Sequence, residues 1–189
     1  MDDTGGRYRG RAYVHGYLQR PRDAAGKPLP AAFAFYPSPD GGNSFDRMMV
    51  REAGDFGNPW FFPANGVVAN DGTFTALFVE LDNGKRNMSY RTDPASAPNG
   101  VNGALKVIRS RDGGETLEPA VKIADVAYDW RVAQLSMPSL AVDRSGGPLQ
   151  GRMYAAWPDA RQERRTPTAF SMRHGSITVP AFTRYGRRR

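Results

Sequence analysis

The sequence predicts an all-β chain built from repeated units of four antiparallel strands. Three observations carry this prediction. First, an eight-residue pattern, Ser-x-Asp-Gly-Gly-x-(Ser/Thr)-apolar, occurs at Ser38–Phe45 and again at Ser110–Leu117, 72 residues on. Internal repetition of this kind sets an architecture before any single segment does. Second, Asp2–Tyr13 aligns without gaps on Asp143–Tyr154, an offset of 141, or two units of about 70. The Asp, both turn glycines, the Gly-Arg pair and the Tyr are shared. Third, short β-branched and aromatic runs alternate with turns drawn from 21 Gly and 15 Pro, and no segment sustains a helical period.

The repeated pattern has the chemistry of a tight turn. Asp-Gly and Gly-Gly supply the positive φ that short connections between antiparallel strands require. The Asp carboxylate can accept N–H bonds inside its own turn, the Ser or Thr hydroxyl can do the same, and the closing apolar residue (Phe45 or Leu117) can pin the turn to the sheet. Calcium binding is the competing chemistry. Neither copy has the spaced run of acidic ligands that a calcium loop uses.

Taken in order, the first strand is read at 11–18, from its Tyr and Val content. A loop punctuated by Pro21, Gly26, Pro28 and Pro30 leads to a strand at 31–36, which enters the first Asp-Gly-Gly turn. A short strand follows at 47–51. The next unit opens at 62–69, turns at Asn70-Asp71-Gly72 and continues as a long strand at 73–81. Residues 82–102 form a polar loop long enough to suggest function or disorder. Strands at 104–109 and 120–124 flank the second turn. The pattern restarts at 137–142, turns at 143–148 and resumes at 152–157. A worn third turn is read at Ser171–Pro180, where Arg173 replaces the Asp and His174 is a turn residue. His15 is read as packed or exposed on its strand.

Bulk composition narrows the field. The 189 residues suit one or two domains and show no apolar run of the ~20 residues a membrane helix needs. The first residues are polar and lack the features of a signal peptide. Without cysteine there is no disulfide framework, thiolate nucleophile or thiolate metal site. No cofactor or metal is expected. The net charge of +7 is mostly arginine, since the lysines are only Lys27, Lys85, Lys106 and Lys122. Its densest runs, 161–165 and 187–189, form no stripe along a helix and accompany no nucleic-acid motif, so nucleic acid is not an expected partner.

Four-stranded units carrying Ser-x-Asp-Gly-Gly-x-Thr between the third and fourth strands resemble the Asp-box (BNR) repeats of the sialidase superfamily. The resemblance implies a β-propeller, usually six-bladed, with four antiparallel strands per blade. It implies about three blades here, at 1–63 (inner strand incomplete), 64–135 and 136–189, as a fragment of a six-bladed ring. The remainder of the propeller or a second copy is then the expected protein partner. Ser38, Asp40, Gly42, Phe45, Ser110, Asp112, Gly114 and Leu117 are the structural Asp-box positions, away from any active site.

The resemblance also implies an exo-glycosidase that acts on or binds terminal sugars of glycans, in a secreted or periplasmic protein without membrane association. The family clamps the sugar carboxylate with arginines, uses a Tyr activated by a Glu as nucleophile and an Asp as acid/base. At the expected end of the blades Asp159 and Glu80 are the catalytic candidates, and Arg86, Trp130, Arg131 and Arg161 the substrate-binding ones. The plainer readings are a solvated strand end for Glu80 and Asp82 and a structural ion pair for Asp159 and Arg161. Trp60, Phe61, Tyr128 and Trp157 are further candidates for sugar stacking or inter-blade packing. The family's first arginine stands in an Arg-Ile-Pro motif. Here the matching places read Phe61-Phe62-Pro63 and Ser136-Met137-Pro138, so the arginine is missing. A non-catalytic module binding glycan or protein is the alternative.

Overall fold

A computed structural model describes residues 1–27, 29, 31–45, 47–52, 59–82, 103–127, 137–157, 159 and 177–179. Among these residues the chain is all-β, with three antiparallel sheets and no helix. The first sheet has the order β1 (Ala12–Leu18), β2 (Ala32–Ser38), β3 (Met49–Glu52). The second contains β4 (Pro59–Val68), β5 (Phe74–Asp82), β6 (Gly103–Ser110) and β7 (Val121–Val126), side by side in chain order. The third has the order β8 (Ser139–Val142), β9 (Met153–Ala156), β10 (Ile177–Val179). β4 runs across the boundary expected at 63/64.

The central sheet is apolar on both faces, because each face has its own neighbour. Phe74, Ala76 and Phe78 of β5, with Phe61 and Ile108, meet Phe33 and Phe35 of the first sheet. Leu77, Val79 and Leu81, with Leu105 and Val107, meet Leu140, Met153 and Ala155 of the third sheet. A strand buried on both sides loses its polar alternation and reads as a continuous apolar run. Phe33 and Phe78 pack with ring centroids 5.2 Å apart, and Phe61 and Phe78 at 5.7 Å.

The two Asp-Gly-Gly turns are the same object. In the first, Ser38 Oγ donates to Asp40 Oδ1 at 2.7 Å and accepts from the Gly42 N–H at 2.8 Å. Asp40 then accepts from Ser44 through its N–H (2.9 Å) and its hydroxyl (2.8 Å). Ser110, Asp112, Gly114 and Thr116 repeat this set at 2.9, 2.8, 2.9 and 2.5 Å. Both glycine pairs have the positive φ expected of them: 76° and 100° at Gly41 and Gly42, 72° and 97° at Gly113 and Gly114. These bonds hold both carboxyls at a pKa of about 2. For Asp40 the Ser38 hydroxyl contributes most; for Asp112 burial pushes upward and is outweighed by Thr116 and Ser110.

Two expectations about the turns are corrected. Leu117 is buried between the first and central sheets, 4% exposed, and its carbonyl accepts from Arg51 Nη2 at 2.8 Å. Phe45, its counterpart, is 40% exposed, with its ring 3.9 Å from where a Cβ on Gly42 would stand. Leu117 has a neighbouring sheet to enter; among the described residues the first sheet has none on its other face. The close of the worn third turn is also corrected. Ile177–Val179, which the alignment puts at that turn's close, is strand β10, paired Ile177↔Ala155 to Val179↔Met153. The β-branched Ile-Thr-Val run favours a strand. Residues 171–176 lie outside the described set.

The offset of 141 is visible bond by bond. Asp2 N–H donates to Arg11 O (2.7 Å) as Asp143 does to Arg152 (2.8 Å). Gly10 N–H donates to Asp2 O as Gly151 does to Asp143 O, both at 2.8 Å. Thr4 N–H reaches Asp2 Oδ1 at 2.9 Å, and Ser145 N–H reaches Asp143 Oδ1 at 2.8 Å.

Candidate functional site

The three sheets offer two ends on which chemistry could be placed. One is where β4 begins, β5 ends and β6 begins. The other carries the Asp-Gly-Gly turns.

Glu80 lies near the first end, but inside the protein. It is 0% exposed and accepts a hydrogen bond from the Lys106 ammonium, itself 5% exposed. The β5–β6 register sets Phe78 opposite Lys106 and Glu80 opposite Ala104, so Glu80 and Lys106 are diagonal neighbours on the face turned to the first sheet. Neither a cleft-lining carboxylate nor a solvated strand end describes Glu80; it belongs to an enclosed ion pair. Phe61, directly across from it in β4, is 2% exposed and packed in the same core. Asp159 is half-buried. Asp82 closes β5. Trp157 packs against the core shared by the central and third sheets. Arg86, Tyr128, Trp130, Arg131 and Arg161 lie outside the described residues, so the expected cluster of arginines and carboxylates is not brought together among the residues described.

At the other end a cavity of about 420 Å³ opens between β1, β4 and β8. Tyr13 and His15 of β1 form one side, Gly66, Val67 and Phe74 another, and Leu140 and Val142 a third. An Asp3–Arg144 ion pair joins the first and third sheets at its rim and holds the Asp3 carboxyl below its usual range. The volume is that of a small-ligand pocket. Gly66 is needed here: a Cβ on it would stand 2.6 Å from the Phe74 ring and 3.2 Å from the His15 ring.

His15 is oriented by its neighbours. Its Nε2 lies 2.8 Å from Ala64 O, and a carbonyl only accepts, so Nε2 carries the proton. The ring stacks on Phe33 (5.6 Å) and meets Phe74 edge-on (5.8 Å). Burial pushes its pKa down, partly opposed by the Ala64 bond. The unfolded chain therefore binds a proton that the native ring resists. Stability is expected to be full above the ordinary value of 6.5 and to decline as pH falls below it. His15→Gln, which keeps a donor for Ala64, should flatten the dependence of thermal unfolding on pH between about 7 and 5. An unchanged slope would assign that dependence to other groups.

Tyr13 is inert at neutral pH. Burial, and then the nearby Asp2 charge, push its pKa up to about 12, so it stays a phenol and a weak nucleophile. Its hydroxyl and Asp2 Oδ2 are both buried without a hydrogen-bond partner among the described residues. The other Asp2 oxygen accepts from Thr4 Oγ1 at 2.6 Å. The cavity was not legible in the sequence, because its walls come from three separate sheets. The only trace was the aromatic content of residues 13–17.

No family model matches this chain, and no curated protein matches it.

Proposed function

We propose that the chain is part of a sialidase-like Asp-box β-propeller, with about three blades, and that it binds terminal sugars of glycans without hydrolysing them. The observation that carries the non-catalytic reading is Phe61. In the resemblance this position belongs to the arginine that clamps the sugar carboxylate, and here it is a core side chain, 2% exposed. A phenyl ring offers no fork of donors to a carboxylate. The enclosure of Glu80 with Lys106 supports the same reading, since this carboxylate has a structural partner. The two equivalent Asp turns and the stacked antiparallel sheets support the propeller. In this reading Arg86, Trp130, Arg131 and Arg161 are the candidates to bind the sugar, by charge-assisted bonds and ring stacking. A secreted or periplasmic setting accompanies it.

A glycan array and a fluorogenic sialoside test the proposal together. The expected result is saturable binding to a subset of terminal sugars, with no fluorophore release above the buffer rate. Sustained release would replace the binding reading with sialidase-type hydrolysis. Silence in both assays, with capture of a protein ligand instead, would move the chain to a protein-binding scaffold.

A further inference from the structure

Asn65 of β4 holds β8 through its side-chain amide. Its Nδ2 donates to Leu140 O and its Oδ1 accepts from the Leu140 N–H, both at 2.7 Å. Leu140 pairs with Ala155 of β9, and the ladder bonds of β8 fall on alternate residues, as at Asp143 N–H to Arg152 O. Asn65 thus takes the backbone groups that β8 turns away from its own sheet. It joins the central sheet to the third at a shift of register between Pro63 and Gly66, where β4 departs from regular pairing with β5. The residue that follows is glycine, and packing favours keeping it so: a Cβ on Gly66 would stand 2.6 Å from the Phe74 ring. An asparagine before glycine is prone to deamidation, because no side chain shields the glycine nitrogen. Asn65 is exposed, so water reaches it.

We propose that Asn65 is a deamidation site gated by its own clasp on Leu140, and that its conversion prevents the clasp from closing again. While the clasp is closed, Leu140 holds both polar atoms of the amide, and the side chain is not free to turn its Cγ onto the Gly66 nitrogen. Local opening between the two sheets frees it. The Gly66 nitrogen then bonds to Asn65 Cγ, the Cγ–Nδ2 bond breaks, and ammonia leaves with the proton that Gly66 N–H gives up. Water opens the resulting succinimide to aspartate or isoaspartate. The sum is one water consumed and one ammonia released, with no oxidation or reduction. The aspartate product has an oxygen where Nδ2 stood. A carboxylate only accepts, so the bond to Leu140 O is lost and two acceptors face each other. Isoaspartate also adds a carbon to the backbone of β4. This inference rests on the Asn65–Leu140 bonds and is independent of the glycan reading.

The test incubates the intact 189-residue chain at mildly alkaline pH, folded or in denaturing urea, and reads each Asn-Gly pair by peptide mass spectrometry. In urea Asn65 should convert at a rate similar to Asn83, Asn99 and Asn102, which also precede glycine. In the folded chain Asn65 should convert at least about tenfold more slowly than in urea. Leu140→Pro removes the N–H that Asn65 Oδ1 accepts and should restore most of the urea rate. Leu140→Ala, which keeps both backbone groups, should raise the rate less. Asn65→Asp, the product itself, should lower the midpoint of thermal unfolding by about 2–4 °C. If Leu140→Pro does not fold, the folded and urea rates and the Asn65→Asp midpoint decide the matter. Equal rates at Asn65 in the folded and unfolded chain, equal effects of the proline and alanine variants, or an unchanged midpoint for Asn65→Asp overturns the assignment.

Discussion

Lys106→Met is expected to lower the unfolding free energy by about 3–5 kcal/mol, the usual effect of removing one partner of a buried ion pair. The reason is the enclosure of both groups. Glu80 is 0% exposed and Lys106 5%, and the ammonium donates to the carboxylate between two apolar sheets. Methionine keeps the length and apolar stem of the lysine but removes a charge that stands against the desolvated carboxylate. The double variant Glu80→Leu with Lys106→Met should recover at least half of the loss, because two well-packed apolar residues can replace a buried pair. Urea unfolding followed by tryptophan fluorescence provides the comparison. A loss below about 1 kcal/mol for the single variant would place the pair in a far wetter environment than its burial indicates.

The second large effect separates two turns that are alike in sequence. Gly114→Ala is expected to be destabilising by about 2–4 kcal/mol and Gly42→Ala by about 1–2 kcal/mol. Both glycines have φ near +100°, at 97° and 100°, so both variants carry the strain of a left-handed conformation. Only Gly114 also has a neighbour in the way: a Cβ there would stand 2.4 Å from Pro37 Cβ, while the nearest atoms at Gly42 are 3.9 Å off. Thermal melts of the two variants side by side make the measurement. Equal shifts would mean that the first and central sheets can part at Pro37 without loss.

The packing at Pro37 also shows what the Asp-Gly-Gly turn does beyond closing a hairpin. Glu115 Oε1 accepts from Arg11 at 3.2 Å and its Oε2 from Arg47 at 2.9 Å, while Gly113 O accepts from Arg11 at 2.5 Å. Arg11 also lies over the Tyr8 ring, 5.4 Å from its centroid. The turn of the central sheet is thus a docking point for the first. Its copy at Ser38–Phe45 has Asn43 where Glu115 stands and an exposed Phe45 where Leu117 is buried. The two turns share an interior and differ in what they touch.

Much of the fold was legible because it rests on local chemistry. The positive φ of the turn glycines, the Ser and Thr hydroxyls closing on Asp40 and Asp112, and the strand character of the runs between them all follow from residues within a few positions of one another. The long strand read at 73–81 is β5, though only the structure shows that sheets cover both of its faces. The gapless repeat at 141 announced a conformation that recurs down to its hydrogen bonds.

The site was less legible, for a physical reason. Glu80 and Lys106 are 26 residues apart in the chain. Only the β5–β6 register makes them diagonal neighbours and decides that a carboxylate near a strand end is enclosed. The cavity is likewise assembled from β1, β4 and β8, and Asn65 ties β4 to β8 by bonds of 2.7 Å to and from the Leu140 backbone. The sequence by itself determined the all-β class, the turn chemistry and the repeat, since each is set by short-range sterics and hydrogen bonding. The tertiary structure alone decided which equivalent residues are covered and which buried charges are paired, because burial depends on which sheet lies alongside.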